Sequence, residues 1–250
     1  MLNGKVVLVT GASSGIGRAI ALACAEAGAD VGLTYRANRA GAEATAERIR
    51  GLGRKVEVAR LDVSRPEEID ALARRMKEAF GRVDTWINNA GADIVTPQAD
   101  RLSRVEKLDL LIAVDLRGTM FASWTAVELM QGQPDGGSII NMSWDHVTQG
   151  MEGENPGLYA AVKGGVLGFS KSLARRVAPR IRVNVLAPGW IETAFGEGAE
   201  PEWKRRVAES IPLRRWGRPE DVAGAAVFLA SDAASYLTGQ TIMVNGGDVM

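Results

Sequence analysis

Short apolar runs alternate along the 250 residues with longer stretches in which apolar positions recur three and four apart. The runs are KVVLVT (5–10), DVGLTY (30–35), KVEVARLD (55–62), VDTWINNA (83–90), GSIINMS (137–143), IRVNVLAP (181–188) and TIMVNGG (241–247). Several are continuous in Val, Ile and Leu, the pattern of strands covered on both faces. The longer stretches at 17–28, 42–53, 66–81 and 157–177 predict amphipathic helices. Alternating strand and helix implies right-handed crossovers and a parallel, doubly wound sheet, an α/β fold with seven strands. No Pro- or Ser-rich linker and no low-complexity tract divides the chain, so a single domain over 1–250 is expected. Residues 193–218 break the alternation. Rich in Gly, Glu and Arg, they predict a substrate-side lid of lower stability than the rest.

Composition narrows the classes. Lys plus Arg and Asp plus Glu number 30 each, and no basic block occurs, which gives no reason to propose nucleic acid as a partner. The one cysteine, Cys24, cannot form an internal disulfide and sits among Ala and Leu as a small core residue. No apolar run approaches the ~20 residues that cross a bilayer. The N-terminus enters KVVLVTG without the layout of a signal peptide, so a cytoplasmic protein with no membrane partner is expected.

The chemistry begins after the first strand. In VVLVTGASSGIGRAIALA, Gly11, Ser13, Ser14, Gly15, Ile16 and Gly17 form a turn between a strand and a helix. Glycine permits the tight backbone and lets it approach a pyrophosphate, and the free N–H groups of the following helix stabilise negative charge. The context is that of a Rossmann-type dinucleotide site.

TGASSGIG resembles the TGxxxGxG motif of the short-chain dehydrogenase/reductase family. The likeness continues in NNAG (Asn88 to Gly91), YAAVK (Tyr159 and Lys163), PG (Pro188 and Gly189) and the segment GRPEDVAGAAVFLASDAASYLTGQTIMVNGG. It is similar to 3-oxoacyl reductases and glucose dehydrogenases within that family. The resemblance implies a nicotinamide cofactor bound by the Gly-rich turn and by Asn89, Ala90, Gly91, Pro188, Gly189, Ile191 and Thr193. It implies Asp62 and Val63 beside the adenine, and a homo-oligomer, taken as a homotetramer. At the end of the second strand Tyr35 stands where NAD-preferring members carry Asp. Arg36 follows it and Arg39 is near. A guanidinium suits a 2′-phosphate, so NADP is favoured with NAD possible; the alternative for Arg36 is a solvated strand end.

Tyr159 and Lys163 are four apart on one helix face. A nearby ammonium favours the phenolate, so the pair can pass a proton to or from a substrate oxygen while hydride moves on the nicotinamide. The expected activity is hydride transfer between NADP(H) and a small-molecule alcohol or carbonyl. The alternative is an NADP(H)-binding sensor or docking protein with little turnover.

Two positions depart from the family pattern. In VDLRGTMF, Asp115 replaces the family Asn; it can accept hydrogen bonds but not donate when ionised, and it could pair with Lys163. In NMSWDH, Trp144 stands at the catalytic-Ser position, with Ser143 the nearest hydroxyl. The segment to Tyr159 is longer than usual, so Ser143, Asp145 or His146 could take over the serine's role. Trp144, Trp190 and Met151 predict an apolar substrate wall, with Asp145, Glu152 and Glu154 as polar edges. His146, the only histidine, could bind a substrate hydroxyl or relay a proton, or simply pack. No second His or Cys cluster accompanies it, and no metal is expected.

Overall fold

The computed structural model describes residues 1–96 and 99–250, and the side chains of all of these but 195 and 197. Seven parallel strands form one sheet in the order β3-β2-β1-β4-β5-β6-β7. They are β1 (Val6–Val9), β2 (Asp30–Tyr35), β3 (Val56–Arg60), β4 (Thr85–Asn88), β5 (Gly137–Met142), β6 (Ile181–Pro188) and β7 (Thr241–Val244). The strand order reverses between β1 and β4, the crevice where open α/β sheets bind ligands.

Helices α1 (Gly15–Glu26), α2 (Arg39–Gly51) and α9 (Pro219–Ala230) cover one face of the sheet. Their Ala-rich inner faces pack on Val7, Val9, Leu33 and Ile140. The other face carries α3 (Pro66–Phe80), α5 (Thr119–Gln131) and α6 (Glu154–Val177), packed on Leu8, Trp86, Ile139 and Val183. Both layers leave β1, β4, β5 and β6 almost without a solvent face, which is why these read as apolar runs, while the edge strands β3 and β7 stay partly exposed.

The strands follow their sequence signals to within a few residues; β7 stops at Val244, before NGG. Helix α6 begins three residues before the expected start, after Gly153 at φ 122, where a side chain would be strained. One larger difference concerns 104–131. Helix α4 (Arg104–Leu111), a π-helical segment (Ile112–Gly118) and α5 run on as one helix. By length and hydropathy this stretch could cross a membrane, against the sequence reading, but half of its most apolar window is buried inside the protein. Its apolarity is that of a core helix. Region 193–218 is also more ordered than an irregular lid: it holds α7 (Ala194–Glu197) and α8 (Pro201–Ser210).

Candidate active site

A cleft of roughly 1210 Å³ runs over the C-terminal ends of β1, β2, β4, β5 and β6. At one end lies the Gly-rich turn. Gly11 has φ +67, and a Cβ there would sit 2.9 Å from Ala90 Cα; a Cβ on Gly17 would sit 2.4 Å from the Gly11 carbonyl oxygen. The NNAG segment fastens this turn. Asn89 Nδ2 donates to the carbonyls of Thr10 and Gly11, and Thr10 Oγ1 accepts from the backbone N–H groups of Asn89 and Ala90. Ser14 caps α1 without a side-chain hydrogen bond, and no acidic residue occupies the first turn. The early N–H groups of α1, which have no partner within the helix, are therefore left to an anion in the cleft. Ser13, Ser14, Gly15 and Ile16 line it there, so the residues present fit a pyrophosphate.

The same cleft is lined by Tyr35, Arg36, Asp62, Val63, Ala90, Gly91, Pro188, Gly189, Ile191 and Thr193. Burial raises the Asp62 carboxyl pKa, but hydrogen bonds from Ser64 and the charges of Arg36 and Arg65 outweigh it and hold the group below its usual range. Arg39 does not join this set. It pairs with Glu43 on α2, while Arg48, one helix side further along, lines the cleft with Arg36. Sequence spacing gave no hint of Arg48, since only the packing of α2 against β2 brings it round.

At the inner end, Tyr159 and Lys163 share one face of α6. Lys163 Nζ lies 2.8 Å from Asp115 Oδ1 and donates to the Met142 carbonyl at 3.2 Å. It lies 5.4 Å from the centre of the Tyr159 ring. Asp115 is carried inward by the π-helical segment, and its Oδ2 accepts from the Ala92 N–H at 2.8 Å. The contact of Oδ1 with Lys163 is Coulombic, without the direction of a hydrogen bond. Burial pushes the Tyr159 hydroxyl pKa up; Lys163 pulls it down and Asp115 pushes it up again, with a net rise. Lys163 acts on Tyr159 in the expected direction, and Asp115 pairs with Lys163 as the sequence allowed, but burial of the ring outweighs that pull. Burial opposes the charge on Lys163, yet Asp115 and Tyr159 raise its pKa overall, so the ammonium keeps its proton.

The stretch after β5 separates its residues. Ser143 is buried, and its Oγ donates to the Lys163 carbonyl at 3.0 Å, so the hydroxyl is turned onto α6. Trp144 lines the cleft, edge-on to the Tyr159 ring at 5.5 Å between centroids. Asp145 and His146, expected at the substrate, lie behind Trp144 and are not among the residues lining the cleft. The short 3₁₀ turn at Asp145–Val147, packed against α6, carries them there. The imidazole stacks on Trp144 at 5.1 Å, and its Nδ1 is 2.8 Å from Asp145 Oδ1. Asp248, from the C-terminal tail, approaches the other ring nitrogen, a partner that no local spacing could announce.

Trp190 lines the cleft with Met151, while Glu152, in the bend before α6, and Glu154, its first residue, are exposed. Trp190, Trp203 and Trp216 form a cluster with ring centres 5.2 to 5.7 Å apart. Buried Trp216 donates from Nε1 to the Lys204 carbonyl and so ties α8 to the wall of the cleft. Trp203 and Trp216 were not read as site-supporting residues from the sequence.

The geometry agrees with the comparisons. A family model described as enoyl-(acyl carrier protein) reductase matches residues 11–248. The chain is 39% identical to 3β-hydroxysteroid dehydrogenase 1 of Eggerthella lenta, covering 98% of this chain and 94% of that protein. It is 40% identical to a 3-oxoacyl-(acyl-carrier-protein) reductase of Synechocystis, covering 100% and 98%. A short-chain dehydrogenase/reductase mutant from Serratia marcescens superposes with a TM-score of 0.89 at 31% identity, covering 100% of this chain and 99% of that one. A similar protein from Brucella melitensis, described as a glucose/ribitol dehydrogenase, gives 0.87 at 29% identity, covering 100% and 98%. From the family match, the sheet order and the level of identity, the chain belongs to the short-chain dehydrogenase/reductase family of oxidoreductases.

Proposed function

We propose that the protein is an NADP(H)-dependent alcohol dehydrogenase or carbonyl reductase in which Tyr159 exchanges a proton with the substrate oxygen. The observation that carries this reading is the placement of Tyr159, Lys163 and the α1 turn along one cleft. The family implies a nicotinamide cofactor, which supplies or accepts the hydride when bound. The first-turn amides of α1 hold its pyrophosphate, Asp62 and Val63 flank the adenine, and Arg36 with Arg48 faces the 2′-phosphate. Asn89, Ala90, Gly91 and Pro188 to Thr193 support the nicotinamide half. Lys163 orients the ribose and, tethered to Asp115, fixes the electrostatics at Tyr159.

The far wall, with Ile94, Val95, Trp144, Met151 and Trp190, is mostly apolar. It suits a hydroxyl or carbonyl borne on an apolar body, in keeping with the substrates that the steroid and acyl relatives' names carry. Residues 193–218 act as the lid over it. The protein works as a cytoplasmic homotetramer.

Cofactor choice is tested by thermal shift. NADPH is expected to raise the unfolding temperature more than NADH at equal concentration, since the tighter ligand stabilises the native state more. Arg36→Ala and Arg48→Ala should each narrow the gap. Equal or greater stabilisation by NADH overturns the assignment.

A second reading, a nucleotide sensor with little turnover, is favoured by the Ser143 hydroxyl being turned onto α6 and by the pairing of the Lys163 ammonium with Asp115. A screen of alcohols and carbonyls for change in NADPH absorbance decides between the two.

A further inference from the structure

His146 lies between two carboxylates on opposite sides of its ring. Asp145 Oδ1 is 2.8 Å from Nδ1, and Asp248 Oδ2 is 3.7 Å from Nε2. The first contact is a hydrogen bond. A carboxylate only accepts, so the proton sits on Nδ1. Nε2 then presents its lone pair toward Asp248. A distance of 3.7 Å is too long for an N–H···O bond, so a second proton on the ring does not close this gap. It is shorter than two ligand bonds of about 2.1 Å laid end to end, which places Nε2 and Oδ2 at the separation of two ligands bent around one ion.

Three further observations point the same way. Asp248 Oδ2 is buried and has no hydrogen-bond partner. Among the described residues no Lys or Arg pairs with either carboxylate. Two carboxylates flanking one imidazole leave an excess of negative charge that a cation would offset. One ligand atom from each of Asp145, His146 and Asp248 lies within 4.8 Å of the others.

We propose that His146 Nε2 and Asp248 Oδ2 bind a first-row divalent cation of the Zn²⁺ type. Asp145 stands behind the imidazole as the carboxylate that sets its tautomer and direction. Imidazole with carboxylate is a donor set suited to Zn²⁺, and an outer carboxylate on the remote ring nitrogen is the usual support of such a ligand. The site joins two parts of the fold. His146 stacks on Trp144, the substrate wall. Asp248 belongs to the tail, which is otherwise held by Gln149 Nε2 on the Met250 carbonyl and Asn245 Nδ2 on the Val249 carbonyl. The cation latches the tail to the wall of the cleft. The proposal departs from the sequence expectation of no metal, which considered only His and Cys as companions of His146.

The test uses the full chain, stripped with a chelator and titrated with Zn²⁺ by calorimetry, and with Co²⁺ by its visible absorption. One ion per chain is expected, with a rise in unfolding temperature on loading. His146→Gln and Asp248→Asn should each weaken binding at least tenfold, and Asp145→Asn by about 10–100-fold as an outer-shell change. Each variant is checked for folding by its thermal shift with NADPH. If Asp145→Asn does not fold, the other two decide. Absence of saturable binding, or equal binding by folded His146→Gln and Asp248→Asn, overturns the site and leaves the oxidoreductase reading untouched.

Discussion

Two buried polar regions sit side by side at β4 and β5, and they are built on opposite rules. The first is neutral. Asn88 Nδ2 donates to Ser123 Oγ and Asn141 Oδ1, Asn141 Nδ2 donates to Ser170 Oγ, and Ser170 Oγ donates to the Val166 carbonyl. Trp86 Nε1 adds a bond to Asn88 Oδ1. These amide and hydroxyl groups stitch β4, β5, α5 and α6 together without one formal charge, and such a network rigidifies a core once its members are satisfied. The second begins one residue further along β5, where the Met142 carbonyl accepts from Lys163. There Asp115, Lys163 and Tyr159 place two charges and a phenol in the same buried surroundings, and Asp115 Oδ1 lacks a directed bond. A buried charge pair is weak evidence of stabilisation. The polar groups of the first region are matched, whereas those of the second, to which we assign proton transfer, are left able to change state.

The sharpest way to break the comparison is Tyr159→Phe. It removes one hydroxyl from the charged region and should lower kcat by about 10²–10⁴-fold, the usual cost of a lost general acid–base, while nucleotide binding and unfolding temperature stay near wild type. A large fall in stability with retained turnover would place Tyr159 on the structural side.

The converse change is Asn141→Leu in the neutral network. It deprives Asn88 and Ser170 of a partner and should cost about 1–3 kcal/mol for each polar group left unpaired, read as a lower urea midpoint. Turnover per folded molecule should be little altered. If the midpoint does not move, the network is not what holds the sheet to α5 and α6.

The finest change is Asp115→Asn, which keeps an acceptor for the Ala92 N–H and removes a charge. Asp115 helps to raise the Tyr159 pKa, so its loss lets Lys163 pull that pKa down. In alcohol oxidation the phenolate is the base, and activity rises with pH through that group. The rising limb should therefore move to lower pH. The rate at pH 7 should increase roughly two- to tenfold, as about 0.4–1.4 kcal/mol of relief would give. In carbonyl reduction the phenol is the acid, so the falling limb should move to lower pH as well. Unmoved limbs in both directions would separate Asp115 from the proton chemistry.

The sheet was legible in the sequence because strands covered on both faces appear as unbroken Val, Ile and Leu runs. The nucleotide turn was legible because its glycines, strand and helix are contiguous. Tyr159 and Lys163 could be paired because both lie on one helix. Legibility failed where placement depends on distant chain. Asp248 meets His146 across about a hundred residues, and Arg48 reaches the cleft only through the packing of α2. Ser143 could face substrate or helix on sequence alone; the ladder bond of its N–H to the Leu186 carbonyl keeps it in register with β6, and its hydroxyl falls on α6. The continuous helix at 104–131 concealed its π-helical segment because hydrogen-bond register leaves little mark on residue type.

That segment, Ile112–Gly118, has the consistency of a spare residue stored inside a helix. An i→i+5 turn accommodates more chain per revolution than an α turn, and each residue added or removed turns the following face by about 100°. Shortening the segment by one residue would give α4 and α5 a common register and rotate either Asp115 or the α5 residues that pack on α3 out of place. The helix cannot be made regular without choosing between its seat in the core and its hold on Lys163. In a lineage of such chains, length in this one segment is therefore the quantity least free to drift, even where the residues composing it are exchanged.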